Sequence, residues 1–316
     1  MRTDLEAIAM QHIKRALIFA HYDRDGVIDP HVQYALQCYR EVVNCLIVVS
    51  TSATALPESI AQHVDQFISR PNKGYDFCSW KKGMESLGDY RQFDEIICCN
   101  DSVYGPLFDL TPVLESPCLD DVDLWGMVHS MQGTKQRKTG EPSNHLQSWF
   151  FGMRRNLIHS PVFDSFWKSI TPLDKKNDVI NAYEIGMTEK FREAGFHVGA
   201  IYDSADGSIK PNLSFLEIAP HLNWRNIRHS YRVIKKTRRR INNPSELAPI
   251  RLVQLGVPFL KVNAFVVNHY GLDLDFIRNE LERMAYRQEI DYDLSLIDAH
   301  LMRVARGCAE TRLKSF

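Results

Sequence analysis

The sequence lacks long hydrophobic runs: nowhere do 18 consecutive apolar residues occur, so it predicts no membrane-spanning helix. It also lacks an excess of charge of either sign, because 38 Lys and Arg residues face 39 Asp and Glu residues. The resulting net charge of -1 argues against nucleic acid as a partner. The first 15 residues contain acids, His12, Lys14 and Arg15 and no apolar run, so we expect no signal peptide and a cytoplasmic protein.

Two chemical motifs are also missing. The seven cysteines include no Cys-x-x-Cys pair, so the sequence predicts neither a zinc site nor a disulfide framework, and we expect buried, reduced thiols. No Gly-x-Gly-x-x-Gly follows the first predicted strand, where the segment His21–Gly26 has a single glycine. A nucleotide-binding redox enzyme is therefore disfavoured.

The first two-thirds of the chain alternates apolar runs with segments of helical spacing. That spacing places Val32, Ala35 and Leu36 on one face of a helix over Asp29–Val43. Apolar runs without period-two alternation are typical of strands that are buried on both faces. The predicted fold class is therefore α/β, with a mostly parallel sheet flanked by helices. The predicted strands are Ala16–His21, Cys45–Ser50, Val64–Ser69, Asp94–Cys99 and Leu124–His129, and the other helices are Phe77–Leu87 and a short one after Pro57.

The rest of the chain has a different composition and residue pattern. Ser130–Asn144 is rich in Gly, Thr, Lys and Ser, and it predicts a mobile loop. His145–Arg154 follows as a candidate strand, Lys176–Ala194 as a helix and Phe196–Ile201 as a short strand. From Pro244 onward the pattern is mostly helical.

Ligands of parallel α/β sheets bind at the carboxyl ends of the strands, so polar residues directly after the predicted strands are candidates for a site. These segments are His21–Asp25, Ser50–Ser52, Asn72–Asp76 and Asn100–Gly105. In the last of them, Asp101 could hold a divalent cation that neutralises a leaving diphosphate. The competing interpretation is a turn, which the flanking Asn and Ser also favour, and this motif alone does not outweigh it.

Two further motifs each have a functional and a structural interpretation. Asn72–Phe77 (NKGYDF) is polar and enters a helix, whose first N–H groups can meet phosphate or ribose oxygens; alternatively, Asp76 only caps that helix. Glu184 lies among apolar residues of a predicted helix, where a buried carboxylate could take a proton from an acceptor hydroxyl. A solvated helical acid is the commoner alternative.

Taken together, these segments resemble the rhamnan synthesis protein F family, which is associated with bacterial cell-wall and lipopolysaccharide polysaccharide synthesis. The matching segments keep the family's order over about the whole chain, and NKGYDF and NDSVYGPL are the specific ones. The resemblance implies a GT-A-like glycosyltransferase domain over residues 1–225 and a basic, helical region over residues 226–316. The segments are His21–Asp23, Asn72–Gly83, Asn100–Leu107, Asp123–Gly126, His145–Phe150, Tyr183–Thr188 and Val257–Val262.

The resemblance also implies roles for particular residues. Asp101 would bind Mg²⁺ or Mn²⁺ together with substrate oxygens and water. Glu184, eleven residues before Gly195, would be the catalytic base, and His145 would face the acceptor. The nucleotide-sugar donor would be bound by His21, Ser50, Asn72, Gly74, Asp76, Asn100 and Asp101. Since a single acid stands where related transferases have Asp-x-Asp, basic side chains could meet the diphosphate instead, and the candidates are Lys73, Lys261 and Arg154.

The function that the resemblance implies is inverting transfer of a sugar, L-rhamnose from a dTDP donor, to a saccharide or lipid-linked acceptor. The segment 228–240 carries seven cations in thirteen residues, so it predicts peripheral contact with an anionic membrane at the inner face of the plasma membrane. A solvated helix or linker is the alternative for that segment. The alternative for the whole chain is a non-catalytic carbohydrate-binding or assembly subunit that keeps the fold.

Overall fold

The computed structural model describes residues 13–130, 145–202, 219, 222, 227–238 and 243–313. The predicted mobile loop lies outside these ranges except for Ser130, and so do the first 12 residues and the boundary expected at residue 225.

The strands form where the sequence has its apolar runs. Every residue of the first and fourth strands is buried, which explains why these runs are continuous rather than alternating. The strands are β1 (Arg15–His21), β2 (Cys45–Ser50), β3 (Gln66–Ser69), β4 (Glu95–Asn100), β5 (Val103–Tyr104), β6 (Leu124–Ser130), β7 (His145–Leu146), β8 (Phe150–Arg154), β9 (Val198–Tyr202) and β10 (Leu260–Lys261).

The helices carry apolar faces that cover the sheet. The first begins with Pro30, which suits a first helical turn, and it buries Val32, Leu36 and Tyr39. The helices are α1 (Pro30–Val42), α2 (Glu58–Ala61), α3 (Tyr75–Ser86), α4 (Thr111–Leu114), α5 (Arg155–Ile158), α6 (Pro161–Ser169), α7 (Lys176–Val179), α8 (Gly186–Glu193), α9 (Ile227–Arg238), α10 (Pro244–Leu247), α11 (Pro249–Gln254), α12 (Val262–Val266), α13 (Leu274–Tyr286) and α14 (Ser295–Leu313). A π-helical turn, Ile180–Ile185, joins α7 to α8.

The main sheet has the strand order β3-β2-β1-β4-β8-β6, with β7 and β9 also paired to β6. The first four strands of this order are parallel, and β8 runs antiparallel between β4 and β6. Helices pack on both faces, over two separate apolar clusters. The predicted class, α/β with a mostly parallel sheet flanked by helices, is confirmed.

The structure divides one predicted strand in two. The segment from His145 to Arg154 forms β7 against the end of β6, leaves the sheet at Gln147–Trp149, and re-enters as β8 between β4 and β6. The interruption frees the backbone N–H of Ser148 to bond a side chain of another element. Apolar content alone could not predict this break, because Gln147 and Trp149 within it are as buried as strand residues.

A two-stranded antiparallel ribbon joins the C-terminal helices to the main sheet. Lys261 of β10 pairs with Val103 of β5, and the N–H of Val262 donates to the carbonyl of Ser102 over 3.0 Å. The two backbone segments of the ribbon approach each other closely at Gly105, where φ is +128° and an added Cβ would lie 2.5 Å from the carbonyl oxygen of Pro258. A glycine is therefore required there, and the ribbon places the C-terminal part beside the end of β4.

Candidate active site

The end of β4 presents two polar residues at the carboxyl edge of the sheet, and the surface around them is called the cleft below. Asn100 donates from Nδ2 to Oδ2 of Asp76 over 2.9 Å, and its Oδ1 accepts the N–H of Ser102 at 3.2 Å. The next residue, Asp101, accepts the backbone N–H of Tyr22 at 2.6 Å. The segment after β4 is thus hydrogen-bonded to the segments that follow β1 and β3.

Asp76 reaches this cleft because α3 begins one residue before it. Gly74 caps the helix with φ of +76°, and a Cβ there would lie 2.4 Å from Sγ of Cys78 and 2.8 Å from Cα of Pro172. Gly74 is buried, so its role is to allow a left-handed turn in a tight space. The sequence alternative of Asp76 as an N-cap is wrong, since that position is Gly74 and Asp76 instead accepts the amide of Asn100.

The two carboxylates influence each other's ionisation. Burial and the negative charge of Asp76 raise the pKa of Asp101 to about 8, although the hydrogen bond from the Tyr22 N–H opposes this. Burial also raises the pKa of Asp76, against the hydrogen bond from Asn100 and the positive charge of Lys261. Both side chains keep part of their surface accessible from the cleft, so a cation could reach them.

This donor set fits Mg²⁺ or Mn²⁺, which commonly take one or two carboxylates together with substrate phosphate oxygens and water. A bound cation would also relieve the repulsion between Asp76 and Asp101. Among the described residues, no cluster of three or more His, Cys, Asp or Glu side chains forms a metal site by itself. The protein would therefore depend on the substrate to complete the coordination.

Glu184 lies in the π-helical turn between α7 and α8. Its Oε2 accepts the Ser148 N–H at 3.0 Å and also the Ser148 hydroxyl, and its Oε1 lies 3.6 Å from Nε2 of His145. Burial opposes ionisation of this carboxyl, but the charge and hydrogen bonding of His145 and the Ser148 bonds outweigh it and lower the pKa of Glu184. The carboxylate is therefore ionised at neutral pH. Its side chain is 20% exposed, so it is accessible as a proton acceptor.

Lys261 lies between these two groups of residues. Its Nζ donates to Oγ of Ser102 over 2.7 Å and lies 5.6 Å from the centroid of the Trp149 ring. Burial lowers the pKa of Lys261 to about 8, against the negative charges of Glu184, Glu246 and Asp76. One ammonium group therefore interacts electrostatically with both Glu184 and Asp76, which belong to the predicted base and donor residues.

His21 and Ser50 end neighbouring strands but are fully enclosed. Nδ1 of His21 is 2.9 Å from Oγ of Ser50, which also accepts the N–H of Ala53 at 2.8 Å. Nε2 of His21 is 3.2 Å from the Val27 carbonyl, and burial lowers the pKa of this histidine. These two side chains therefore fix the loops that follow β1 and β2, while the surfaces available to a nucleoside are those of the loops themselves.

The remaining sequence candidates lie elsewhere. Asn72 and Lys73 are exposed at the start of the loop that leads to α3. Arg154 bonds to Glu95, the first residue of β4, with Nε to Oε1 at 3.4 Å. Glu95 and Asn100 are five strand residues apart, about 17 Å, so Arg154 lies at the opposite edge of the sheet from the cleft. Of the three basic candidates, Lys261 is the one whose side chain bonds to the segment directly after β4.

Sequence inspection missed an arginine that clamps the loop after β1. Arg303 of α14 donates to Asp23, Asp25 and Asp29, with Nε to Oδ1 of Asp29 at 2.9 Å and Nη1 to Oδ2 of Asp25 at 3.0 Å. Burial opposes ionisation of Asp23, but the bonds from Arg303 and from backbone N–H groups lower its pKa. The three closely spaced acids were a signal that a cation must approach this loop, although nothing in the pattern indicated which one.

Replacing Arg303 with Met is expected to lower the free energy of unfolding by about 1–3 kcal/mol, because three carboxylates lose their shared donor. The contribution of the lowered Asp23 pKa exists above its unfolded value, so the difference from wild type should shrink as the pH falls below about 4. Urea unfolding at pH 7 and pH 3.5 measures both effects. Arg287→Met is the control, since Arg287 forms an exposed pair with Glu289 at 3.8 Å and should cost under about 1 kcal/mol. Equal losses in the two variants would contradict the clamp.

A mostly parallel sheet with one reversed strand beside its central strand is a GT-A-like arrangement. The chain belongs to the rhamnan synthesis protein F family, whose model matches residues 45–237. The resemblance inferred from the motifs is confirmed. Family and fold together support a glycosyltransferase of polysaccharide biosynthesis.

Individual relatives are more distant. The virulence protein VirA of Vibrio anguillarum is 24% identical over 260 residues, which cover 78% of this chain and 78% of VirA. Glucosyl-3-phosphoglycerate synthase from Mycobacterium tuberculosis, in complex with phosphoglyceric acid, aligns at 10% identity with a TM-score of 0.30, over 46% of this chain and 58% of that chain. The same enzyme with Mn²⁺, UDP-glucose and phosphoglyceric acid aligns at 12% identity with a TM-score of 0.31, over 54% and 75%. Similarity this weak carries no argument about donor or acceptor.

Proposed function

We propose that the protein is an inverting glycosyltransferase that moves L-rhamnose from a dTDP donor to a saccharide or lipid-linked saccharide acceptor. The observation that supports the proposal is that Lys261, which bonds to Ser102 next to Asp101, interacts electrostatically with both Glu184 and Asp76. An ionised carboxylate for proton removal would then lie near a polar, charged group of residues for a diphosphate. Rhamnose is suggested by the family name, and no residue of the cleft identifies the sugar.

The donor would bind across the carboxyl ends of the parallel strands. Its nucleoside would contact the loops after β1 and β2, which the His21–Ser50 pair fixes, and the loop at Asn72–Gly74. Its diphosphate would lie toward Asn100, Asp101 and the start of α3. A divalent cation held there by Asp101 and Asp76 would neutralise charge on the diphosphate.

Glu184 would act on the acceptor. An acceptor hydroxyl next to Oε1 would lose its proton to Glu184 while its oxygen attacks the anomeric carbon from the face opposite the diphosphate. The bond between the anomeric carbon and the diphosphate oxygen breaks, and its electron pair stays on the diphosphate. Ser148 holds Oε2, so Oε1, which lies 3.6 Å from Nε2 of His145, would take the proton, and His145 would orient the acceptor. One displacement inverts the configuration at the anomeric carbon.

A panel of nucleotide sugars tests the proposal. Purified protein is mixed with each donor, Mg²⁺ or Mn²⁺, and a lipid-linked acceptor, and the released nucleoside diphosphate is measured. We expect release with at least one donor, fastest with dTDP-L-rhamnose, and a product of inverted anomeric configuration. Binding of a donor without turnover under any of these conditions would instead favour the non-catalytic carbohydrate-binding subunit, and retention of configuration would overturn the mechanism.

Contact with an anionic membrane, predicted from the segment 228–240, is part of the same proposal. In α9, Ile227 and Tyr231 are 71% and 65% exposed and lie four residues apart on one face, whereas Ser230 is buried and Ile234 packs against the C-terminal core. Arg228 and Lys235 are exposed beside the apolar pair. Arg239 and Arg240 lie outside the described residues. An amphipathic face of this kind is typical of helices that lie in a membrane interface.

In the part of the chain that the structure describes, no helix is long and apolar enough to cross a bilayer.

Sedimentation with phosphatidylserine vesicles measures this contact. The double variant Arg228→Glu, Lys235→Glu is expected to bind at least about 30-fold more weakly at low salt, since each lost cation removes about 1 kcal/mol near an anionic surface and each new carboxylate adds repulsion. High salt should weaken the wild type in the same direction. The matched control reverses two exposed lysines elsewhere, Lys82 and Lys175, and should bind like wild type. If neither salt nor the first variant affects sedimentation, α9 is not a membrane contact.

A further inference from the structure

We propose that Lys261 is a catalytic residue that binds the diphosphate of the donor and neutralises the charge that develops on it as the sugar leaves. The inference rests on the proposed function, because it assigns the phosphate-binding group of that same cleft. It concerns a residue outside the 45–237 segment that the family model matches.

The first argument is placement. β10 pairs with β5 immediately after the Asn100-Asp101-Ser102 segment, so the backbone fixes Lys261 opposite Val103. Its side chain then bonds to Ser102 at 2.7 Å. The ammonium group therefore bonds to the residue next to Asp101, which is expected to lie nearest the diphosphate. Strand pairing, rather than a surface loop, holds Lys261 in this position.

The second argument is the availability of donors. An ammonium group has three N–H donors, and among the described residues the hydrogen bond to Ser102 uses one of them. The Trp149 ring lies against the group at 5.6 Å and excludes water from that side. The remaining donors can point into the cleft, where a compact positive charge suits phosphate oxygens.

The third argument is the balance of charge around the ammonium group. The charges that act on it are those of Glu184, Glu246 and Asp76, which favour its protonated form, and of Lys176, which opposes it. Lys176 also acts on Asp76, and its positive charge favours the ionised form of that carboxyl. A diphosphate next to Ser102 would therefore be attracted by the Lys261 ammonium, with a smaller contribution from Lys176. The negative charge of a bound diphosphate would favour the protonated form of Lys261.

The role in the reaction is electrostatic. As the bond from the anomeric carbon to the diphosphate oxygen breaks, its electron pair remains on that oxygen, and the ammonium of Lys261 stabilises the added charge without giving up its proton. The acceptor proton goes to Glu184. A group that meets charge formed only in the transition state raises the rate as well as the affinity.

Calorimetric titration with inorganic pyrophosphate in EDTA tests this assignment. Lys261→Met is expected to weaken pyrophosphate binding by at least tenfold, and Lys261→Arg is expected to restore most of it, because the charge is kept. Binding of thymidine, which has no phosphate, should be the same in all three proteins. Lys82→Met, on the exposed face of α3, is the matched control and should bind pyrophosphate like wild type.

The result that overturns the proposal is pyrophosphate binding that appears only with Mg²⁺ and is unchanged in Lys261→Met. Loss of binding in both Lys261→Met and Lys261→Arg, with thymidine binding also lost, would show instead that Lys261 only supports the fold. Either failure can be distinguished from failure of the transferase function, since pyrophosphate binding is measured without turnover and the donor panel measures turnover with the wild-type protein.

Discussion

Replacing Glu184 with Gln is expected to lower kcat by about 10²- to 10⁴-fold, while the Kd of the nucleotide-sugar donor stays close to that of wild type. Gln has nearly the same shape and can still accept the N–H of Ser148, so the π-helical turn should persist. It cannot accept a proton from the acceptor hydroxyl. Because the missing interaction is made in the transition state, the loss should appear in kcat and kcat/KM together.

Turnover is measured by release of nucleoside diphosphate, and donor affinity by calorimetry on the same preparation. The control is Glu193→Gln, an exposed acid at the end of α8, which should retain full activity. A Glu184→Gln protein with wild-type kcat would remove the base assignment. A protein that loses donor binding as well as turnover would indicate that Glu184 holds the shape of the cleft instead.

Replacing Asp101 with Asn is expected to lower turnover by about 10²- to 10³-fold and to abolish the response to Mg²⁺ or Mn²⁺, because the amide keeps the hydrogen bond from Tyr22 but loses the charge that holds a cation. Steady-state rates over a range of metal concentrations measure this effect. Asp120→Asn, at an exposed position, is the control. Full activity of Asp101→Asn, or an unchanged metal response, would exclude a metal or phosphate role for this carboxylate.

Although Asp101→Asn should lower turnover, it should raise the stability of the protein at alkaline pH. The folded pKa of Asp101 is about 8 against an ordinary value of 3.8, so between these values the folded protein retains a proton that the unfolded chain has lost. The free energy of unfolding therefore falls as the pH rises through this interval. Asn has no such dependence. In EDTA, Asp101→Asn should be more stable than wild type at pH 8.5 and about equal to it at pH 4, as measured by urea unfolding.

The core strands could be predicted from the sequence because burial on both faces leaves an unbroken apolar run. Cys45–Ser50 was predicted with the bounds that the structure has. The strand predicted from Ala16 begins one residue earlier, and the strand predicted from Asp94 begins and ends one residue later. The π-helical turn around Glu184 was not predicted, since a π turn and an α turn bury the same apolar residues. β5 and β10 were also missed, because two residues carry no periodicity and their pairing is set by contacts distant in sequence.

The residues of the candidate site also differ in whether the local sequence could predict them. Asn100, Asp101 and Asp76 could be named in advance, because the carboxyl edge of a parallel sheet is defined by the strands alone. Ser148 and Arg303 could not, since each acts through a contact between elements that no local pattern specifies. His21 and Ser50 end strands as predicted, but the depth at which their side chains lie depends on the loops that cover them. Their predicted contact with the donor remains a proposal.

The ribbon between β5 and β10 also determines when the proposed site can be completed during synthesis of the chain. Ser102 and Lys261 are 159 positions apart, so the N-terminal strands leave the ribosome well before the lysine is made. At about 5–20 residues per second, the interval is about 8–30 s. During that time the nascent chain can complete most of its parallel sheet before Lys261 is available to bond to Ser102. If Lys261 binds the diphosphate as proposed, a chain interrupted before residue 261 would fold in part but lack a group that the proposed reaction needs.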